Sequence, residues 1–185
     1  MDKKLKSFSF MKIGNLLLMA VLLGFLVQVV YYYPRVPIRI AVLKSDSFFL
    51  PYNQVWSWIN KDQFLINETI GIIIFVLLGI IVPIFILKIP KKRINLPNKE
   101  YWLDSSRENE TREDLGSFLR LIYGVIALEV LIYSQLIYQC NITLNYKLIS
   151  QASVLSESIM WVLFLPIIIP FVIKYLNLQR FTQQK

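Results

Sequence analysis

Between Lys12 and Arg35 the chain runs 22 residues without a charge, and between Glu68 and Lys88 it runs another 19. Leu121 to Tyr146 holds one charge, Glu129, and a fourth stretch of 16 uncharged residues separates Glu157 from Lys174. A bilayer core of about 30 Å needs roughly 20 helical residues at 1.5 Å each. Runs of this kind are too long and too apolar for one water-soluble core. The composition agrees: 56% hydrophobic and 17% charged, against about 45–50% and 25% in ordinary soluble domains. The fold class expected is all-α, a polytopic membrane bundle of four transmembrane helices near 13–33, 68–88, 119–139 and 155–175. An outer loop over 34–67, a cytoplasmic loop over 89–118 and a second outer loop over 140–154 connect them. Lys3, Lys4 and Lys6 resemble the basic start of a cleaved signal peptide. The first run, however, exceeds the usual 7–15 residues of such a segment and ends in Tyr31, Tyr32, Tyr33 and Pro34 instead of a small-x-small site, so it is expected to be retained.

The basic residues orient the bundle. Four precede the first span, eight lie in or beside the central loop and three follow the last span, against five (Arg35, Arg39, Lys44, Lys61 and Lys147) on the other side. Positive residues accumulate on the cytoplasmic side, so both termini and the central loop are expected to face the cytoplasm. The net charge of +8 follows from that bias and from anionic headgroups. The expected partners are the lipid bilayer and a protein at the central loop, with no role for nucleic acid. Tyr31, Tyr32, Tyr33, Trp56 and Trp58 suit the headgroup region as interfacial anchors.

One cysteine, Cys140, and no histidine exclude an internal disulfide, metal sites that need Cys or His, and a Ser-His-Asp triad. No cofactor and no enzymatic activity are expected.

The central loop carries "INLPNKEYWL" over 94–103, then "DSSRENETREDLGSFLRLIYG". Pro90 and Pro97 bar a continuous helix and push the preceding residues toward extended backbone. Asn95 and Asn98 can bond nearby backbone groups, which predicts an ordered turn with Tyr101 and Trp102 inserted among headgroups. Ser105 and Glu108 match a capping box, and Glu108 and Arg112 form an (i, i+4) pair in the acid-first order. A helix is therefore expected from near Ser105, with Leu115, Phe118, Leu119 and Ile122 on one face, running unbroken into the third span with Arg120 at the water boundary.

Within that span Glu129 falls about 14 Å past Arg120. An ionisable residue at such depth is a candidate functional site and needs a partner; Tyr133, one turn on, and the carbonyl of Val162 freed by Pro166 are the candidates. Ala20 and Gly24 form a small-xxx-small pair that lets helices approach.

Asn95, Leu96, Pro97, Asn98, Lys99, Tyr101, Trp102 and Leu103 resemble a string common in small bacterial membrane proteins of domain-of-unknown-function family 1648. That family also has an extended segment with a Leu-Pro pair after its first helix and Trp-x-x-Lys before its second. Val36 and Pro37 stand for the former here, and Trp58 and Lys61 for the latter. Leu43 and Lys44 replace the family's His-Phe pair, and "SDSFFLPYNQV" replaces its Gly-rich turn. The resemblance covers roughly 11–140 and implies a helical membrane bundle without a general activity. It includes an immunity protein that signals the presence of a peptide toxin. The function expected is a non-catalytic sensing, immunity-type or complex-subunit role, with Asn95, Pro97, Asn98, Lys99, Tyr101 and Trp102 as the interaction loop. A transporter or channel component using Glu129 and Tyr133 is the alternative.

Overall fold

The computed structural model describes residues 3–45 and 54–176. Four of its helices are long and apolar enough to cross a membrane. Helix α1 (Lys3–Val27) passes into a π-turn over Gln28–Tyr32 and a 3-10 turn over Tyr33–Arg35, where Pro34 ends the helical run. Strands β1 (Arg39–Ser45) and β2 (Gln54–Asn60) form an antiparallel hairpin in register Arg39 with Asn60 through Ser45 with Gln54. Then come α2 (Lys61–Lys88), the short α3 (Lys99–Trp102), α4 (Glu108–Ile142) and α5 (Lys147–Leu176).

The hairpin gives regular structure to part of the expected outer loop over 34–67, while the fold stays mostly helical and compatible with the all-α expectation. Its cause is local: Ile40, Val42, Val55, Trp56 and Ile59 are β-branched or aromatic residues that favour a pleated, half-buried surface. The start of the second helix also moves. It begins at Lys61, seven residues before 68, because the Asn60 side chain caps it by accepting the Asp62 amide at 2.8 Å. The expected outer loop at 140–154 shrinks to a turn between Ile142 and Lys147, in which Leu144 takes φ 55°.

Two cores hold the bundle. At the hairpin end, Val36, Ile40, Ala41 and Val42 pack with Phe64 and with Ile137, Tyr138 and Ile149. In the middle, Leu18 and Val21 of α1 meet Ile72 and Val76 of α2 and Ala127 of α4. Gly24 lets α1 approach α4, since a Cβ there would lie 2.7 Å from Leu131 Cδ2; Ala20, its expected companion, is exposed. The large apolar residues left outside, such as Leu16, Leu23, Ile74, Trp161, Leu165 and Ile173, lie along α1, α2 and α5. These exposed apolar faces belong to three of the four helices that are long and apolar enough to cross a membrane.

At the other end, α2 stops at Ile89, which is extended ahead of Pro90. Its last carbonyls have no helical partner. Buried Arg112 takes two of them, donating from Nη1 to Ile86 O at 2.7 Å and Ile89 O at 2.6 Å, while Nε and Nη2 bind Glu108 Oε1. The (i, i+4) pair is thus present. The capping box is not: α4 begins at Glu108 with Arg107 as an N-cap that makes no side-chain capping hydrogen bond. Glu108 is drawn instead to Arg112 and to Lys91 Nζ at 2.6 Å. Ser106 bonds Asp104 Oδ2 through its hydroxyl at 2.7 Å, and these bonds hold the Asp104 carboxyl below its usual range.

Candidate functional site

Four of the seven buried polar residues among those described, Gln28, Glu68, Ser134 and Asn141, gather at the hairpin end. Ser134, Tyr138 and Asn141 repeat at i, i+4 and i+7, so α4 presents them on one face. The Ser134 hydroxyl donates to Glu68 Oε1 at 2.6 Å, and the Tyr138 hydroxyl donates to Glu68 Oε2 at 3.1 Å. Gln28, 1% exposed at the first position of the π-turn, donates from Nε2 to Ser134 Oγ at 2.8 Å. Its Oε1 is buried and has no hydrogen-bond partner among the described residues. Three helices thus converge on one carboxyl group. π-turns inside helices occur frequently at functional sites.

Beside this cluster lies a partly open cavity of ≈ 450 Å³, within the usual 300–1,000 Å³ of small-molecule pockets. The hairpin roofs it with Val42, Ser57 and Ile59; α2 contributes Phe64, Asn67 and Glu68; α4 contributes Val130, Tyr133 and Ser134. The Phe64 ring meets the Tyr138 ring edge-on at 5.3 Å, which sets that wall. Asn141, fully buried, fastens the roof: its Oδ1 accepts the Ala41 amide at 2.8 Å and its Nδ2 donates to Ala41 O at 3.0 Å.

Glu129, expected as the intramembrane site, is half-buried and makes an interaction of its own. Its helical neighbour Tyr133 does line the cavity. The acid at the centre is instead Glu68, 5% exposed. In the sequence Glu68 looks like a boundary charge, because it ends an uncharged run. The signals that find it are Asn60 as a cap with Gln63 three residues on, which starts the helix two turns earlier, and the Ser134/Tyr138/Asn141 stripe.

Of the expected anchors, Tyr31 is exposed beneath the Arg35 guanidinium, 3.8 Å from its ring. Tyr32 stacks edge-on against Tyr31, and the Tyr33 hydroxyl bonds Asp62. Trp58 is exposed with its ring against Tyr146. Trp56 pairs with Leu43 in the hairpin, and its side chain lies outside the described residues.

In the central loop Asn98 adopts left-handed backbone (φ 54°, ψ 43°) and starts α3 without a side-chain cap bond, so it shapes the turn through its backbone conformation and not through the side-chain bonding expected. Lys99 Nζ reaches back to Lys92 O at 3.0 Å. Trp102 corrects the headgroup expectation. It is 7% exposed, its ring lies 4.8 Å from that of Tyr175, and its carbonyl accepts the Thr111 hydroxyl at 2.8 Å. Ile94 and Leu103 are buried with it, while Asn95, Pro97 and Asn98 stay exposed and Tyr101 lies under Arg107. Among the described residues no cluster of Cys, His, Asp and Glu could hold a metal ion. No protein-family model, curated protein or solved structure matches the chain.

Proposed function

We propose that this chain is a non-catalytic, multi-pass protein of a bacterial cytoplasmic membrane, of the sensing or immunity type. It takes up a ligand at the hairpin end and reports it through the central loop. The uneven spread of basic residues supports an outward hairpin, with both termini and the loop in the cytoplasm. The likeness of "INLPNKEYWL" to the family string, and the exposed Asn95, Pro97 and Asn98, support the loop as the surface offered to a partner.

The observation that carries this reading is that the polar cluster ends blind. Between Ser117 and Ser134 the buried positions of α4 are Leu121, Gly124, Val125 and Ala127. That is about 25 Å of helix whose fully buried positions are apolar or glycine, with Arg120 and Glu129 only half-buried along it. A transporter or channel component needs polar groups along a continuous path. Glu129 does not continue this one, since five residues place it about 140° around the helix from Ser134. A blind, half-open cavity is suited to binding. The unbroken α4 holds the cavity and roof through Ser134 and Asn141 and the loop through Thr111 and Arg112, so it can carry a displacement from one end to the other.

An environment-sensitive fluorophore on Asn95→Cys, in a Cys140→Ser background in lipid vesicles, tests the coupling. Freeing the hairpin with Asn141→Leu should shift the emission at the loop. Unchanged emission from a protein whose hairpin has become protease-sensitive would sink the proposal.

A further inference from the structure

The cavity has one strongly ionisable group in its lining and no cation. Glu68 takes part in none of the ion pairs among the described residues, and no Lys or Arg lines the space. Its two bonds, from Ser134 and Tyr138, use half of the roughly four acceptor positions of a carboxylate. The rest of the lining is mainly apolar, with Val42, Ile59, Phe64, Val130 and the Tyr133 ring, and Ser57 and Asn67 as its uncharged polar members. An inorganic cation would find one carboxylate here and, among the described residues, no second acidic side chain beside it. A carboxylate would meet a like charge. A neutral apolar molecule would leave the acceptors of Glu68 unanswered. What answers both halves of the site is an N–H-rich positive head on a compact apolar body.

We infer that the cavity binds a small lipophilic ammonium ion, with its head on the Glu68 carboxylate and its body between Phe64, Tyr133 and Ile59. Aromatic walls suit such a head, because ring faces attract cations within about 6 Å. The volume of ≈ 450 Å³ admits a phenylalkylamine with room to spare. The inference rests on the hairpin end being the receiving end, and it adds the ligand's chemistry.

The probe is phenethylammonium, titrated calorimetrically against the full chain in zwitterionic nanodiscs, with empty nanodiscs subtracted. Saturable binding is expected, with 2-phenylethanol at least about tenfold weaker, since hydrogen bonds to a charged group contribute that much. Phenylacetate should not bind. Glu68→Gln should bring the amine down to the level of the alcohol. Ile59→Trp, which fills the cavity and leaves Glu68 in place, should abolish both, and it serves where Glu68→Gln does not fold. Equal binding of alcohol and amine, unchanged affinity in either folded variant, or no saturable amine binding overturns the inference. If the amine fails while Asn141→Leu still shifts the loop fluorophore, the ligand class is wrong and the sensing function stands. If the amine binds but the loop never responds, the site stands and the sensing function falls.

Discussion

Arg120 donates from Nε to the carbonyl of Gly79 at 3.2 Å, and Gly79 is the residue whose helical partner Pro83 removes. Pro83 sits inside α2 without an N–H, so the carbonyl four residues earlier has no donor in its own helix. Arg120 reaches it from α4 with its stem laid over Gly14 of α1, where a Cβ would lie 3.0 Å from Arg120 Cγ. The residue expected at the water boundary thus fastens three helices.

The two groups should therefore be coupled. Arg120→Leu should lower stability by about 1–3 kcal/mol by orphaning the Gly79 carbonyl. In a Pro83→Ala background, where the backbone N–H returns, the same change should cost at least about 0.5 kcal/mol less. Denaturant titrations of the four proteins in one detergent measure the difference. Strict additivity would mean that Arg120 acts through its packing alone.

Asn141 serves the hairpin as a missing strand would. In the β1–β2 register Ala41 turns its N–H and C=O away from β2, and the buried Asn141 amide pairs both. An open strand edge is thereby closed. Asn141→Leu should cost about 2–4 kcal/mol, because two buried backbone groups lose their partners. Asn141→Asp should cost nearly as much, since a carboxylate has no N–H for Ala41 O. Proteolysis within 34–60 reports the release, and a hairpin equally resistant in both variants would show that its apolar contacts suffice.

The helices were legible because charge-free runs and prolines act locally. The runs mark the spans, and Pro34 and Pro90 mark where helices stop. The ion pair of Glu108 and Arg112 was legible for the same reason, since four residues of helix bring the two together whatever the rest does. The hairpin was hidden because its alternation is short and lies beside aromatic residues that read equally well as interfacial anchors. Glu68 was hidden by its place at the end of an uncharged run, where a charge is ordinarily solvated. The Asn60 cap is the local signal that carries it two turns inside, but only the fold reveals that Ser134 and Tyr138, distant in sequence, meet it. Trp102 faces inward because Tyr175, at the far end of the last helix, supplies the surface it covers.

Arg112 closes the end of α2 with a planar fork, and a point charge cannot copy it. Arg112→Ala should destabilise the protein by about 2–4 kcal/mol, through two uncovered carbonyls and an acid left to Lys91 alone. Arg112→Lys should recover less than half of that. The comparison is made by thermal unfolding in micelles, with hydrogen exchange at residues 85–89 showing whether the last turn frays. Full rescue by lysine would mean that charge matters and geometry does not.

The proposed orientation is checked by fusing reporters that are active on only one side of the membrane. A fusion at Asp104 or Lys185 should be active on the cytoplasmic side and one at Asn60 on the outer side, following the fifteen-to-five distribution of basic residues. A cytoplasmic signal at Asn60 would invert the bundle and expose the cavity to the cell interior.

Asn98 is where structure and proposed docking in "INLPNKEYWL" can be separated. Its φ of 54° and ψ of 43° lie in the left-handed region, which costs an ordinary side chain roughly 1–2 kcal/mol and glycine almost nothing. The carbonyl of Asn98 also accepts the amides of Tyr101 and Trp102, at 3.0 and 3.2 Å, so the turn leads directly into the buried Trp102. If Asn98 matters only through its backbone, Asn98→Gly should match the parent in both stability and response at the loop, while Asn98→Val loses both. If its exposed amide also meets a partner, Asn98→Gly should keep membrane abundance and thermal stability but lose the partner cross-linked through a photoreactive group at Asn95. The docking role of the loop predicts the second outcome. A glycine variant that retains the cross-link would confine Asn98 to holding the turn.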